Sequence, residues 1–220
     1  MNLIIYGMGD LGRLMRHYFD SDSSYTVVAF CGDKKWITEE TLDGLPVVPF
    51  EDIEQIYPIR EYAIFVAAGY RNMRARKQMF FSAEKKGYEF ASFISSNAKY
   101  DSSNKIGKNV VLLSNVILEP FAEVSSNTIV NSGAIVCHHA KIESHCFIAA
   151  RALVGGFTQI GENSFIGFSA TVLQKLTLAN ETLIAASSLV TKNTDESTSY
   201  LGTPAKLKST HAKDGICILD

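Results

Sequence analysis

The chain has 220 residues, of which 46% are hydrophobic and 20% are charged, with 15 glycines and 5 prolines. This composition excludes a disordered or collagen-like chain and predicts one or two folded domains. The formal net charge of −2 provides no positive field, so neither nucleic acid nor a membrane surface is expected as a partner. No apolar run is long enough for a signal peptide or a membrane span, and the four cysteines form no C-x-x-C pair, so we expect a cytoplasmic protein.

Strands alternate with helices in the first part of the chain. The apolar runs at residues 3–6, 25–30 and 62–68 predict buried strands. Helical patterns follow at residues 14–19 and 72–86. Residues 1–95 are therefore predicted to form a small α/β domain of the Rossmann type, with a parallel sheet.

A glycine-rich segment, Gly7-Met8-Gly9-Asp10-Leu11-Gly12, lies between the first strand and the first helix. Backbone N–H groups and a helix N-terminus meet at such a turn, which suits phosphate oxygens. Asp33 ends the second strand, where a carboxylate that binds ribose is expected. Roughly 95 residues are too few for two mononucleotide halves, which indicates one nucleotide and excludes an NAD-dependent oxidoreductase. A structural turn without a ligand is the alternative.

A six-residue repeat begins at Ile106. Every sixth position as far as Val190 is Val, Ile or Leu, which makes fifteen positions in phase. Four residues after each of the first eleven, the chain places a small or β-branched residue. This phase predicts a parallel β-helix with triangular coils, three units to a coil, over residues 96–220, with about five coils and a linker near residues 92–104.

Two adjacent histidines follow an inward position of the repeat. Val136 is in phase with the core, so His138 is expected at an exposed corner of a coil. An imidazole there can take a proton from an amine or a hydroxyl at neutral pH. The alternative is a pair of surface histidines at a turn. His138, His139 and His145 lack a carboxylate or thiolate partner at ligand spacing, so no metal is expected.

The chain resembles the hexapeptide-repeat sugar acyltransferases of the sialic-acid O-acetyltransferase and bacillosamine N-acetyltransferase type. The resemblance covers the whole chain and is carried by the domain order, the six-residue phase and the closing segment Leu201-Gly202-Thr203-Pro204-Ala205-Lys206. It implies a nucleotide-sugar-binding α/β domain followed by a left-handed β-helix that binds acetyl-CoA. It also implies a homotrimer with coenzyme A between neighbouring subunits.

The resemblance also implies roles for individual residues. The segment from Asn131 to His138 is similar to the one that ends in the family's catalytic histidine, so His138 is the expected general base. The implied substrate contacts are Asn131 at the acceptor sugar, Gly7, Gly9 and Gly12 at the phosphates, Asp33 and Lys34 near the acceptor, and Gly69, Tyr70 and Arg71 beside the base. The implied thioester and pantetheine groove is lined by Phe147, Gly156, Gly167, Phe168 and Ala186.

Three positions depart from the family pattern. His139 stands where the family has an acidic residue after the catalytic histidine, and we count it as a second catalytic candidate. Phe147 replaces a histidine near the thioester carbonyl, and Leu11 replaces a histidine of the glycine-rich loop. The departure at His139 bears on the strength of the base, the one at Phe147 on the contact with the thioester carbonyl, and the one at Leu11 on the identity of the acceptor.

These features together predict an acetyl-CoA-dependent acetyltransferase without a metal. It would act on the amino group of a nucleotide-linked amino sugar, in making precursors of a surface glycan such as an O-antigen, a capsule or a protein glycan. In the expected mechanism His138 removes a proton from the acceptor, and N–H groups near Gly156 stabilise the oxyanion. The alternatives are O-acetylation of a sugar hydroxyl and a non-catalytic nucleotide-binding scaffold.

Overall fold

A computed structural model describes residues 1–218 of the chain. They form two compact units, one of Met1–Gly69 and Gln78–Phe93, the other of Tyr70–Lys77 and the chain from Ile94 onward. The helices are α1 (Asp10–Ser21), α2 (Ile53–Ile56) and α3 (Met73–Lys86), with short 3₁₀ turns at Lys34–Trp36 and Phe50–Asp52. No helix in the described part of the chain is both long and apolar enough to cross a membrane.

The first unit is built on one sheet. Its six strands lie in the order β3-β4-β2-β1-β5-β6, and all neighbours except β3 and β4 are parallel. The central strand β1 is fully apolar beyond its first residue and is buried. This arrangement confirms the predicted Rossmann-like domain. The strands are β1 (Asn2–Tyr6), β2 (Thr26–Gly32), β3 (Thr41–Leu42), β4 (Leu45–Pro49), β5 (Tyr62–Val66) and β6 (Glu89–Phe90).

The hairpin of β3 and β4 is absent from the sequence prediction. Its two-residue turn is Asp43-Gly44, and both residues have positive φ, 50° and 80°. An Asp-Gly pair of this kind is typical of a tight hairpin turn, because Asp tolerates and Gly favours the left-handed conformation. The dipeptide was therefore a signal in the sequence that could have located the hairpin.

The second unit is a parallel β-helix. Fifteen two-residue strands, β8 to β22, form three parallel sheets in which each strand pairs with the third strand before or after it in the chain. Each of the three sheets contains five of these strands, which makes five coils, as the phase predicts. The strands are β8 (Lys105–Ile106), β9 (Val111–Leu112), β10 (Ile117–Leu118), β11 (Glu123–Val124), β12 (Ile129–Val130), β13 (Ile135–Val136), β14 (Lys141–Ile142), β15 (Phe147–Ile148), β16 (Leu153–Val154), β17 (Gln159–Ile160), β18 (Phe165–Ile166), β19 (Thr171–Val172), β20 (Thr177–Leu178), β21 (Leu183–Ile184) and β22 (Leu189–Val190).

The interior of the β-helix contains the two predicted registers. Fourteen of the fifteen aliphatic residues are buried, and Ile106, on the first coil, packs against the core while partly exposed. The small register, from Val110 to Ala170, is fully buried as well. Each coil can bury its interior only against the next, so the stacking of like side chains stabilises the whole unit.

The β-helix begins before the six-residue repeat, which starts at Ile106. Ser95 donates its backbone N–H to Leu112, and Lys99 does so to Val116, so residues from Ile94 onward already stack on the first coil. The expected linker at residues 92–104 is therefore corrected: most of it belongs to the β-helix unit. The remaining strands are β7 (Phe93–Ile94), β23 (Thr198–Leu201), which pairs in parallel with β21, and β24 (Lys206–Thr210), which returns antiparallel to β23.

Ion pairs attach the segment Tyr70–Lys77 to the second unit. The Arg74 guanidinium binds both carboxylate oxygens of Glu181 at 2.7 Å, and Nζ of Lys77 lies 2.7 Å from Glu162. The Arg74 hydrogen bonds lower the pKa of Glu181 to about 2. This segment was assigned to the first domain by the predicted boundary at residue 95, but its contacts group it with the β-helix.

Candidate active site

The glycine-rich loop follows strand β1 at the carboxyl edge of the first unit's sheet. Gly7 has φ of +135°, and a Cβ there would lie 2.5 Å from the carbonyl oxygen of Ala67. A Cβ on Gly12 would lie 2.1 Å from the carbonyl oxygen of Gly7, so the loop and helix α1 approach more closely than any side chain allows. Both glycines are therefore required by the fold itself.

Gly9 differs from the other two glycines of the motif. It is the N-cap residue of α1, and a Cβ there would meet no atom within 4 Å. No side chain caps the helix at this end. Open space beside a helix N-terminus is what the approach of a phosphate requires. The loop thus has open space at Gly9, where the sequence predicts a phosphate, whereas Gly7 and Gly12 shape the loop.

The predicted residues Asp33 and Lys34 follow strand β2 at the same edge. Asp33 Oδ1 accepts a hydrogen bond from the Tyr6 hydroxyl at 2.7 Å, and burial together with this carboxylate raises the pKa of Tyr6. The backbone N–H of Lys34 donates to both carboxylate oxygens of Glu51, at 3.0 and 3.2 Å. Gly69 lies beyond the end of β5, and a Cβ there would meet no atom within 4 Å.

Tyr70 and Arg71 belong to the second unit and are held there. The Tyr70 ring lies 4.7 Å from the ring of Phe147 and 5.5 Å from that of Phe165. The Arg71 carbonyl accepts a hydrogen bond from the N–H of Ile218. Phe147 retains only 4% of its surface, so the aromatic side chain predicted to contact the thioester is covered by Tyr70 within its own chain.

Each corner of the β-helix contains a residue in the left-handed conformation. Every sixth residue from Asn109 to Ser187 has φ between 53° and 70°, three residues after each inward aliphatic one. Three corners result, and each recurs once in every coil. We name them by one member. The His138 corner contains residues 119–121, 137–139, 155–157 and 173–175, the Phe168 corner contains residues 113–115, 131–133, 149–151, 167–169 and 185–187, and the His145 corner contains residues 107–109, 125–127, 143–145, 161–163 and 179–181.

His138 is exposed and lines a groove of about 470 Å³ along its corner. Gly156 lies one coil further along the same corner, and a Cβ there would lie 2.8 Å from both Cε1 and Nε2 of the imidazole. The missing side chain is what makes room for the ring. Among the described residues, none accepts a hydrogen bond from the N–H of Gly156. The groove is also lined by Glu119, Leu173 and Gln174.

His139 belongs to an aromatic column on the same corner. Its ring lies 4.8 Å from Phe121, one coil before it, and stacks at 4.6 Å on Phe157, one coil after it. Its Nδ1 lies 3.4 Å from Nδ1 of His138. His138 in turn meets the Phe157 ring edge-on at 5.2 Å. The column holds the His139 ring in place, and His139 supplies a nitrogen next to the predicted base.

Glu119 and Cys137 complete the surroundings of His138. Glu119 Oε2 accepts a hydrogen bond of 2.8 Å from the backbone N–H of His138. Burial raises the pKa of the Cys137 thiol, and the charge and hydrogen bond of Glu119 raise it further. The thiol therefore stays protonated at neutral pH and is a poor nucleophile. Glu119 is not among the residues predicted from the sequence, although three units of the repeat separate it from Cys137 and so place both at one corner.

The other predicted cofactor residues lie at the neighbouring corner of the same chain. Phe168 is half exposed there, and Ala186 lies one coil beyond it. A Cβ on Gly167 would lie 2.6 Å from the backbone nitrogen of Ala186, so the absent side chain lets the next coil approach. Asn131 also lies at this corner, where its side chain accepts a hydrogen bond from the N–H of Ser132. Within one chain, the structure thus brings together His138, His139 and Gly156 and separates them from this second group.

Comparison with known proteins identifies both units. A family model of the PglD N-terminal domain matches residues 2–83, and a model of bacterial transferase hexapeptide repeats (six repeats) matches residues 139–174. No curated protein matches the chain in sequence. Among solved structures, the acetyltransferase domain of PglB from Neisseria gonorrhoeae FA1090 is 25% identical, with a TM-score of 0.84 over 94% of this chain and 99% of that chain.

A second solved structure is more distant in sequence. PerB from Caulobacter crescentus, determined with CoA and GDP-perosamine, is 23% identical, with a TM-score of 0.84 over 95% of this chain and 98% of that chain. WeeI from Acinetobacter baumannii AYE is 20% identical, with a TM-score of 0.61 over 94% of this chain and all of that chain. The fold is that of a Rossmann-like domain followed by a left-handed parallel β-helix, as expected.

Proposed function

The chain belongs to the hexapeptide-repeat sugar acyltransferases with a PglD-type N-terminal domain, and on this premise we propose that it is an acetyl-CoA-dependent N-acetyltransferase. Its acceptor is the amino group of a nucleotide-linked amino sugar, and its product a precursor of a surface glycan. PglB has been solved with acetyl coenzyme A and PerB with CoA and GDP-perosamine. The observation that carries the proposal is the exposed His138 imidazole in a groove against Gly156.

The reaction is a direct transfer. The amine of the acceptor attacks the thioester carbonyl, and His138 takes up the proton that the amine loses. The free N–H of Gly156 donates to the oxygen as negative charge develops on it. When the C–S bond breaks, the sulfur of coenzyme A leaves with the proton held by His138. Because the Cys137 thiol is kept protonated, no acyl-cysteine step is required.

His139 orients the base in place of the usual carboxylate. If Nδ1 of His138 carries the proton, it points to Nδ1 of His139 at 3.4 Å and leaves Nε2 free to accept one. An imidazole partner in this position fixes the tautomer and the ring direction of His138. The Phe121 and Phe157 rings on either side of His139 keep that partner in place.

The active form is a homotrimer. His138 and Gly156 lie at one corner of the β-helix, whereas Gly167, Phe168 and Ala186 lie at the next. A site that uses both groups is completed when the His138 corner of one copy meets the Phe168 corner of another. Exposed apolar side chains on both corners favour such contact, among them Phe121 and Phe157 on the first and Phe168 on the second. Light scattering at micromolar concentration would then give three copies, and a monomer would contradict this assembly.

We place the reaction in the cytoplasm and assign no metal to it. All four cysteines of the chain are free thiols, which suits a reducing compartment. The proposed acid–base chemistry needs only the imidazole and backbone N–H groups described above. The nucleotide is assigned to the glycine-rich loop of the first unit, and the acetyl transfer to the His138 corner of the second.

The test is release of free thiol from acetyl-CoA with a panel of UDP-, dTDP- and GDP-linked amino sugars. One acceptor is expected to be turned over, and His138→Asn is expected to lower kcat at least ~100-fold with an unchanged Tm. The matched control is His17→Asn, an exposed histidine on α1, which should retain wild-type turnover. Wild-type turnover by the His138 variant would remove this residue from the mechanism. An absence of thiol release with every acceptor would refute the proposed activity.

A further inference from the structure

The single tryptophan of the chain is the most exposed large apolar side chain among residues 1–218. Trp36 retains 67% of its surface. It ends the 3₁₀ turn Lys34–Trp36 directly after strand β2, and its N–H donates to the carbonyl of Asp33 at 2.8 Å. The Lys35 ammonium lies 5.2 Å from the indole centroid. An indole held this far out of the core has no role in packing the first unit.

A cavity of about 320 Å³ lies beside this indole. Its volume is at the lower end of the range for small-molecule pockets. It mixes apolar walls with hydroxyl, carboxylate and guanidinium groups, and one wall comes from the glycine-rich loop itself. The residues of this cavity used below are Met8, Arg13, Trp36, Thr38, Glu39 and Thr41.

Hydrogen bonds and an ion pair connect the helix on one side of the cavity to the hairpin on the other. Arg13 forms a two-pronged ion pair with Asp43, the first residue of the β3–β4 turn, and Arg16 donates to the carbonyl of the same residue. The hairpin is thereby tied to helix α1, and the space between them is kept open beside the indole. A pocket that is already formed loses little conformational entropy when a ligand binds.

The position of the cavity indicates which part of a nucleotide it would hold. Phosphates bind at the loop that contains Gly9, and a carboxylate at the end of the second strand, here Asp33, binds the ribose. The base then lies beyond the ribose, on the side of that strand. Trp36 is one turn beyond Asp33, and Met8 connects the cavity to the loop.

We propose that Trp36 stacks on the nucleobase of the acceptor nucleotide, with Thr38, Glu39 and Thr41 facing the edge of the base. This proposal rests on the proposed function, because it names a subsite for the nucleotide of that acceptor. It assigns the base to the end of β2 and not to the segment beside Gly69. The Tyr70 ring of that segment is partly buried and packs on Phe147 and Phe165, whereas the Trp36 indole is exposed.

The test uses the indole as its own reporter, without acetyl-CoA. Because the chain has one tryptophan, its fluorescence reports on Trp36 alone. Titration with GDP, UDP, dTDP and ADP should quench this emission for at least one nucleotide, whereas inorganic pyrophosphate should not. Quenching only by a nucleotide sugar, and by no free nucleoside diphosphate, would assign the indole to the sugar and overturn the proposal.

A pair of variants separates stacking from folding. Trp36→Leu should raise the Kd of the preferred nucleoside diphosphate, measured by calorimetry, by about tenfold or more, while Trp36→Phe retains most of the affinity. Phe81→Leu, an exposed aromatic of α3 outside the cavity, is the matched control and should bind normally. Wild-type affinity in Trp36→Leu overturns the base subsite. Because only binding is measured, this result is independent of whether acetyl transfer occurs.

Discussion

Gly156 and His138 lie one coil apart on the same corner, and the imidazole occupies the space that a side chain at 156 would fill. A Cβ at Gly156 would lie 2.8 Å from Cε1 and Nε2 of the ring and 3.3 Å from Cδ2. The backbone of Gly156 does not have φ in the left-handed range, so conformational freedom is not the reason for this glycine. The reason is steric, because the absent side chain leaves room for the His138 imidazole.

Gly156→Ala is therefore expected to act on catalysis and not on folding. The added methyl group forces the exposed ring to rotate away, which should lower kcat about 10- to 100-fold. The Tm should remain near that of the wild type, because the displaced atoms belong to a surface side chain. Steady-state thiol release and thermal unfolding measure the two effects.

The neighbouring glycine provides the control. A Cβ at Gly155 would lie 2.5 Å from the backbone nitrogen of Gln174 and 2.7 Å from the carbonyl carbon of Leu173. These backbone atoms cannot rotate away as a surface side chain can, so Gly155→Ala should destabilise the β-helix by about 1–3 kcal/mol. If Gly156→Ala instead loses stability and keeps its turnover per folded molecule, the packing of Gly156 against the ring is not a catalytic feature.

His139 provides a second prediction. His139→Asn keeps a residue that tolerates the left-handed conformation but removes the imidazole partner of His138 and its stack on Phe157. We expect kcat to fall about tenfold with little change in KM. His139→Glu would restore a carboxylate beside the base, which favours the protonated imidazole, so the ascending limb of kcat against pH should move to higher pH. Identical pH profiles for all three proteins would show that His139 does not act on the base.

The glycine-rich loop allows its structural and binding roles to be separated. Gly9→Asn retains a favourable N-cap residue for α1 but fills the open space at the loop, so nucleoside diphosphate affinity should fall tenfold or more at unchanged Tm. Gly12→Ala places a Cβ 2.1 Å from the Gly7 carbonyl oxygen and should lower Tm first. Calorimetric titration and thermal unfolding check both variants. Undiminished nucleotide affinity in Gly9→Asn would mean that the phosphates bind elsewhere.

His145 makes the stability of the β-helix sensitive to acid. Its side chain is buried, with Nδ1 2.8 Å from the Asn127 amide, and burial lowers its pKa to about 4. Glu162 opposes this shift, whereas Lys77 and Arg76 add to it. The unfolded chain, with an ordinary imidazole, binds a proton at higher pH than the folded one does. Stability should therefore fall as pH drops from about 6.5 towards 4, by up to ~3 kcal/mol.

The matched variant for this prediction is His145→Asn. Asparagine already occupies the equivalent position of neighbouring coils, at Asn109, Asn127 and Asn163, with the same left-handed backbone. Urea unfolding at pH 7 and pH 5 should show a smaller loss of free energy of unfolding in the variant than in the wild type. An equal loss in both proteins would mean that other groups govern the acid sensitivity.

The fold was largely predictable because its determinants are local and repeated. The six-residue phase identified the strands, their inward residues and the exposed position of His138, and the strand–glycine–helix pattern identified the first βα turn. The start of the coiled region before Ile106 was missed, since residues 94–104 stack through backbone hydrogen bonds without the aliphatic phase. The contacts of His138 were harder to predict than its position, because Glu119 and Gly156 reach it only through the stacking of successive coils.

The sequence by itself determined the two kinds of unit, the interior of the β-helix and the corner on which His138 lies, because side-chain size and backbone sterics act within a few residues. Only the tertiary structure decided that Tyr70 covers Phe147, that Tyr70–Lys77 joins the second unit, and that a cavity opens beside Trp36. These features depend on contacts between residues distant in the chain, where ion pairs and packing select one partner among many. No local pattern encodes that choice.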